Sequence, residues 1–132
     1  MSILGPKVKQ IITPMLAVDD CAAAIAFYKR VFNAVEVGER YEDDGKIGHA
    51  ELQIAGATVM IADEFPEHNQ SPKTLGGTPV MLHLEILNID SVTALAASNG
   101  ATILREPSDG PGGRVSKLRD PYGHVWFLSE AG

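Results

Sequence analysis

Cysteine is almost absent from this chain: Cys21 is the only one in 132 residues. That excludes an intramolecular disulfide and any cysteine-rich zinc site. Long apolar runs are missing as well. No stretch approaches the roughly 20 residues that a membrane helix needs. No positively charged start leads into an apolar segment of the signal-peptide kind, so the expectation is a cytoplasmic protein without a membrane partner. Basic charge is scarce, with 11 Lys and Arg against 17 Asp and Glu and a net charge of −6. Nucleic acid is therefore not an expected partner, since it needs a clustered Lys/Arg footprint. The acidic balance suits a soluble surface and only weakly suggests a cationic guest.

Apolar residues make up 45% of the chain and charged residues 21%, which is the composition of an ordinary globular protein. A chain of this length can bury a core without staples. One domain over 1–132 is expected, with a first module at about 8–64, a connecting loop at about 65–79 and a second module at about 80–130.

The pattern within each module is the same. Lys9 to Val18 reads as a strand, with Pro14 restricting it to an edge or a bulge. Asp19-Asp20 offers a cap for a helix from Ala22 to Phe32, whose Ile25, Phe27, Tyr28, Val31 and Phe32 fall at helical spacing. Strands follow at Val35–Tyr41, His49–Ile54 and Thr58–Ala62, separated by Glu42-Asp43-Asp44-Gly45-Lys46 and Ala55-Gly56 turns. The order then recurs. Val80–Leu87 is a strand and Asp90 caps a helix over Ser91–Ser98, with Val92, Leu95 and Ala96 inward. Further strands are expected at Thr102–Leu104, Val115–Leu118 and His124–Ser129, with 106–113 as a Gly/Pro loop and Asp120-Pro121-Tyr122-Gly123 as a β-turn. Leu16 to Asp20 corresponds to Ile86 to Asp90, and Asn33-Ala34 to Gly100-Ala101. A repeat of this kind is a fold-level signal. The expected fold is α+β: two tandem β-α-β-β-β modules whose sheets form a cupped, partly open, mixed-sheet barrel with helices on its outer face.

The segments Ala24 to Ala34, His49-Ala50-Glu51-Leu52, Val59 to Glu64, Leu82-His83-Leu84 and Arg119-Asp120-Pro121-Tyr122-Gly123-His124-Val125-Trp126 resemble the vicinal oxygen chelate superfamily. This is the superfamily of glyoxalases, bleomycin-resistance proteins and dioxygenases, and the likeness is strongest to its PhnB-like branch. The resemblance spans about residues 8–129 and implies the cupped fold and a homodimer. It also implies that catalytic members carry four metal ligands, one on the first and one on the last strand of each module. The matching positions here are Thr13, Ile61, Met81 and Phe127. None suits a hard divalent ion, so no metal or other cofactor is expected at that site.

Strand alternation places His49, Glu51 and Gln53 on the concave face with Ala50, Leu52 and Ile54 toward a helix. It likewise separates Met81, His83 and Glu85 from Leu82, Leu84 and Ile86. The candidate ligand-binding residues are therefore Thr13, His49, Glu51, Ile61, Met81, His83, Glu85 and Phe127, with Arg114 reaching the mouth of the cup from its loop. Trp126 alternates to the face opposite Phe127 and reads as core. His68 and Cys21 carry no partner that marks them for chemistry. Three functions remain open. One is a metal-free binding protein sequestering an antibiotic or related natural product, the small-molecule guest being cationic or amphipathic. Another is a metal-dependent lyase, isomerase or dioxygenase using a displaced site built from His49, Glu51 and His83. The third is a non-catalytic domain acting through partner contacts.

Overall fold

The computed structural model describes residues 10–130. Two four-stranded mixed sheets carry the fold, and each repeats the same topology. The first module runs β1 (Met15–Val18), α1 (Cys21–Phe32), β2 (Val35–Asp43), β3 (Lys46–Ile54) and β4 (Ala57–Asp63), in the spatial order β1-β4-β3-β2. A short α2 (Pro72–Leu75) lies in the connection. The second module runs β5 (Met81–Glu85), α3 (Ile89–Ser98), β6 (Thr102–Gly110), β7 (Gly113–Arg119) and β8 (Val125–Ser129), in the order β5-β8-β7-β6. The first and last strands of each module pair in parallel, which the helical crossover makes possible, and the other pairs are antiparallel. The sheets are cupped and do not close into a barrel.

Local chemistry accounts for the elements. The Asp20 side chain accepts from Ala23 N at 3.1 Å and caps α1, and Asn33 ends that helix in the left-handed region at φ 56. Five large apolar side chains of α1, from Ile25 to Phe32, are buried at helical spacing. In β3 Ile47 is buried near the start, and from Ala50 onward Ala50, Leu52 and Ile54 alternate inward, so one face is set against α1 and the other is left open.

Segments of both modules differ from the sequence reading. β1 begins at Met15, and residues 10–14 form no regular structure; Lys9 lies outside the described residues. Pro14 has no N–H to pair, and its carbonyl accepts from Met60 N at 2.8 Å. Most of the expected loop at 106–113 is instead strand: β6 continues to Gly110, only Pro111 and Gly112 turn, and β6 pairs with β7 through two irregularities that absorb its Pro107. The helix of module two starts at Ile89 behind a left-handed Asn88, with Asp90 inside its first turn and no side-chain cap. Its buried residues are Ile89, Thr93 and Ala96, while Leu95 is exposed.

One buried cluster includes side chains of both modules. At their junction, Tyr28 and Phe32 of α1 lie against Trp126 of β8, with ring centroids 5.5 Å and 4.8 Å away. Asp120, nearly sequestered from solvent, accepts there from four donors. Tyr28 Oη and Trp126 Nε1 (2.9 Å) share Oδ2, and the N–H groups of Tyr122 (2.9 Å) and His124 (3.0 Å) share Oδ1. His124 Nε2 also lies 2.9 Å from the carbonyl oxygen of Ala17, across the same junction. The turn is closed by Gly123 at φ +97, where a Cβ would lie 2.7 Å from Pro72, so only glycine lets α2 pack against it.

Candidate functional site

The register of the strands decides which side chains share the open face of each sheet. In module one, Met15 pairs with Met60, Met60 with Glu51, and Glu51 with Val37. A second row carries Thr58, Gln53 and Val35, and Tyr41 stands beside His49. Met15, Val35, Val37 and Tyr41 are all exposed. His49 Nε2 lies 3.6 Å from Glu51 Oε1, the one imidazole–carboxylate contact of this face.

Module two presents three rows across its sheet. Thr102, Arg119, Val125 and Met81 form the first; Arg105, Lys117, Phe127 and His83 the second; Ser108, Val115, Ser129 and Glu85 the third. His83 Nε2 is 2.7 Å from Ser129 Oγ, and its ring stands edge-on to Phe127 at 5.5 Å. Glu85 and Met81 are exposed on either side of it along β5.

Between the lead-in to β1 and strand β5 lies an apolar cavity of about 340 Å³, lined by Ile11, Thr13, Thr58, Leu82, His83 and Trp126 among others. Its size falls at the lower end of ordinary small-molecule sites. A further cavity of about 300 Å³ continues along the same seam past Met15, Val80 and Leu82. Thr13 and His83, far apart in sequence, thus line one space.

Two of the residues selected from sequence are elsewhere. Ile61 pairs with Ala50 and is fully buried among core residues, because β3 and β4 are in a register that turns Met60, its neighbour, to the open face. Arg114 faces the helix side of β7. Its Nε and Nη2 grip the two carboxylate oxygens of Asp90 at 2.8 and 2.9 Å, and Nη1 reaches Asp109 at 3.2 Å. Those contacts hold the Asp90 carboxyl below the usual range. The hairpin Asp109–Arg114 is a strand pair, not a mobile loop, so the side chain is committed to α3 and does not reach the cup.

With Met60 in place of Ile61 on the open face, the expected set reads Thr13, Met60, Met81 and Phe127. A hydroxyl, two thioethers and a phenyl ring do not fit a hard divalent ion. Among the described residues no three His, Cys, Asp or Glu side chains cluster closely enough to hold a metal. Cys21 is buried at the start of α1, and burial pushes its thiol up to about 12. At neutral pH it therefore stays a thiol, the less reactive form.

The sequence reading missed Met15, Met60 and Tyr41 in module one and Arg105, Lys117 and Arg119 in module two. The alternation Ser116/Leu118 against Lys117/Arg119 was available as a signal, since Ser116 and Leu118 are buried. The bulges that bring Arg105 into the same row were not.

Known proteins agree with this architecture. An uncharacterized protein of Mycobacterium bovis is 41% identical over 129 residues, which cover 94% of this chain and 85% of the relative. A solved structure of TioX from Micromonospora superposes with a TM-score of 0.71 at 26% identity, covering 94% of this chain and all of TioX. The PhnB protein of Bacillus cereus gives 0.70 at 26%, covering 92% of this chain and all of its own. The fosfomycin resistance protein FosX of Listeria monocytogenes shares the fold, with a TM-score of 0.70 at 21% identity and coverage of 95% and 93%. The model of the glyoxalase/bleomycin resistance protein/dioxygenase superfamily matches residues 10–128. With that match spanning both modules, the chain belongs to this superfamily.

Proposed function

We propose that this protein binds a small molecule in its cup without a divalent metal at the superfamily's usual positions, and that it does so as a homodimer. The observation that carries the reading is the donor-poor set Thr13, Met60, Met81 and Phe127 (Ile61 having given way to Met60) beside an apolar seam cavity of about 340 Å³. Apolar walls with a few polar groups suit capture of an amphipathic guest. Thr13 and His83 supply polar groups in the cavity itself, and His49, Glu51 and Glu85 supply others on the open faces. An antibiotic or related natural product is a guest of the right size and character. The homodimer draws support from the open faces themselves: Met15 (57% exposed), Val35 (60%), Tyr41 (64%) and Met81 (53%) are large apolar side chains that a lone soluble chain rarely leaves uncovered.

A thermal-shift screen tests the reading. Natural products are expected to raise Tm, a guest at a hundred times its Kd adding about 2.7 kcal/mol, while nickel, zinc and manganese are expected to leave Tm unchanged. Stoichiometric metal in the purified protein, with metal stabilisation lost in His83→Ala, would establish the metal-dependent lyase, isomerase or dioxygenase in its place. Sedimentation equilibrium tests the dimer, and a mass near 14.1 kDa at micromolar concentration would refute it.

A further inference from the structure

The net charge of −6 conceals a local reversal. Three cations share the open face of module two. Lys117 pairs in register with both Arg105 and Phe127, and Arg119, two residues further along β7, stands in the adjoining row. Among the described residues none of the three makes an ion pair; Arg105 Nε donates only to Ser108 Oγ, at 3.3 Å. Glu85 is the only carboxylate in these three rows, and the Lys117 row separates it from Arg119. The cations of the helix side behave differently: Arg114, on the same strand, is neutralised by Asp90 and Asp109. At the Arg119–Thr102 end the face meets a polar cavity of about 470 Å³ lined also by Asp120 and by Lys73, which pairs with Asp19 at 3.7 Å.

Unpaired cations gathered around an aromatic floor favour a negatively charged partner, because charge-assisted hydrogen bonds to carboxylate or phosphate oxygens are the strong ones. Phe127, Val125 and Met81 in the same rows offer the apolar contact for the rest of such a molecule. We infer that the guest is an amphipathic anion, a carboxylate or phosphate on an apolar body, with its head on Lys117, Arg119 and Arg105. This rests on the small-molecule reading above, and it replaces the cationic guest suggested by net charge.

Calorimetric titration of the full chain with octanoate, octyl phosphate, octanol and octyltrimethylammonium tests it. Both anions are expected to bind about ten-fold or more tightly than octyltrimethylammonium, with an affinity that falls as salt is raised. The octanoate and octyl phosphate arms tell a carboxylate preference from a phosphate one. Lys117→Met with Arg119→Met is expected to weaken the anions about ten-fold and leave octanol within about two-fold, while Lys117→Arg restores anion binding. Equal or tighter binding of octyltrimethylammonium overturns the inference. So does an unchanged anion affinity in the double variant, or a loss confined to self-association by sedimentation, which would make the cations interface groups. If octanol binds and the anions gain nothing over it, the anion inference falls alone. If none of the four binds, the small-molecule reading falls with it.

Discussion

The two modules share a topology strand for strand, yet their open faces differ. Module one lines its face with Met15, Met60, Val35, Val37 and Tyr41 around one His49–Glu51 contact. Module two lines the equivalent face with Arg105, Lys117 and Arg119 around Phe127 and His83. The faces that carry the helices are of one kind in both: each buries alternating apolar residues, and the two merge in one cluster. The halves therefore diverge where a guest would sit and stay alike where the protein holds itself together. A scaffold whose chemistry is confined to one face can change what it binds without repaying the cost in its core.

The largest expected effect comes from breaking the shared backing. Asp120→Ala strips the acceptor from four donors, each of which costs about 1–3 kcal/mol when buried and unmade. Some of them will find water, so a loss of at least about 4 kcal/mol in urea unfolding is expected, with both modules melting together. Tyr28→Phe removes a single donor from that carboxylate and should cost about 1–2 kcal/mol.

Alkaline pH probes the same backing. Burial, then the Asp120 carboxylate, raises the Tyr28 phenol well above its ordinary 10, and burial raises Cys21 from an ordinary 9.0 to about 12. Both groups hold their protons more tightly folded than unfolded. Their stabilisation is thus complete below about pH 9 and is lost as pH climbs toward 12. Equilibrium unfolding followed from pH 8 to 11 should fall in that sense, and Tyr28→Phe should flatten the upper part of the decline.

Arg114→Ala sharpens the contrast between the two faces of β7. Its exposed pairs contribute little to stability, and octanoate titration should give the wild-type affinity, unlike the Lys117/Arg119 double variant. The smallest change in stability is expected for Tyr41→Ala on the open face of module one, within about 0.5 kcal/mol by urea unfolding at concentrations low enough to dissociate the proposed dimer. A larger loss in the monomeric chain would mean that this face is already part of the core.

Much of the backing was legible in the sequence, because burial writes itself as periodicity. The helical spacing from Ile25 to Phe32, the alternation in β3 and β5, and the assignment of Trp126 to the core against a helix all follow from 3.6- and 2-residue periods. The lining was less legible. Ile61 and Met60 are both apolar, so nothing in the run Val59-Met60-Ile61-Ala62 tells which one faces a helix; the pairing with β3 does. Arg114 looked mobile because Gly112-Gly113 precede it, whereas a two-stranded ladder on one side and Asp90 on the other hold it. Arg105 joins Lys117 only through a bulge that no local pattern announces. Net charge says little about this face for a related reason. It averages over the whole surface, while recognition depends on which few charges lack partners on one face.

Tyr28 and its acceptor Asp120 are 92 positions apart. A growing chain cannot bring them together until almost all of it has been made. Until β8 emerges, the aromatic side of α1 has no Trp126 to cover it, and the first module, though complete in its strands, stays sticky. Closing so long a loop late should also slow folding relative to what either module could reach with only local contacts. Truncation anywhere before Trp126 should then yield aggregation in place of a half-sized soluble product.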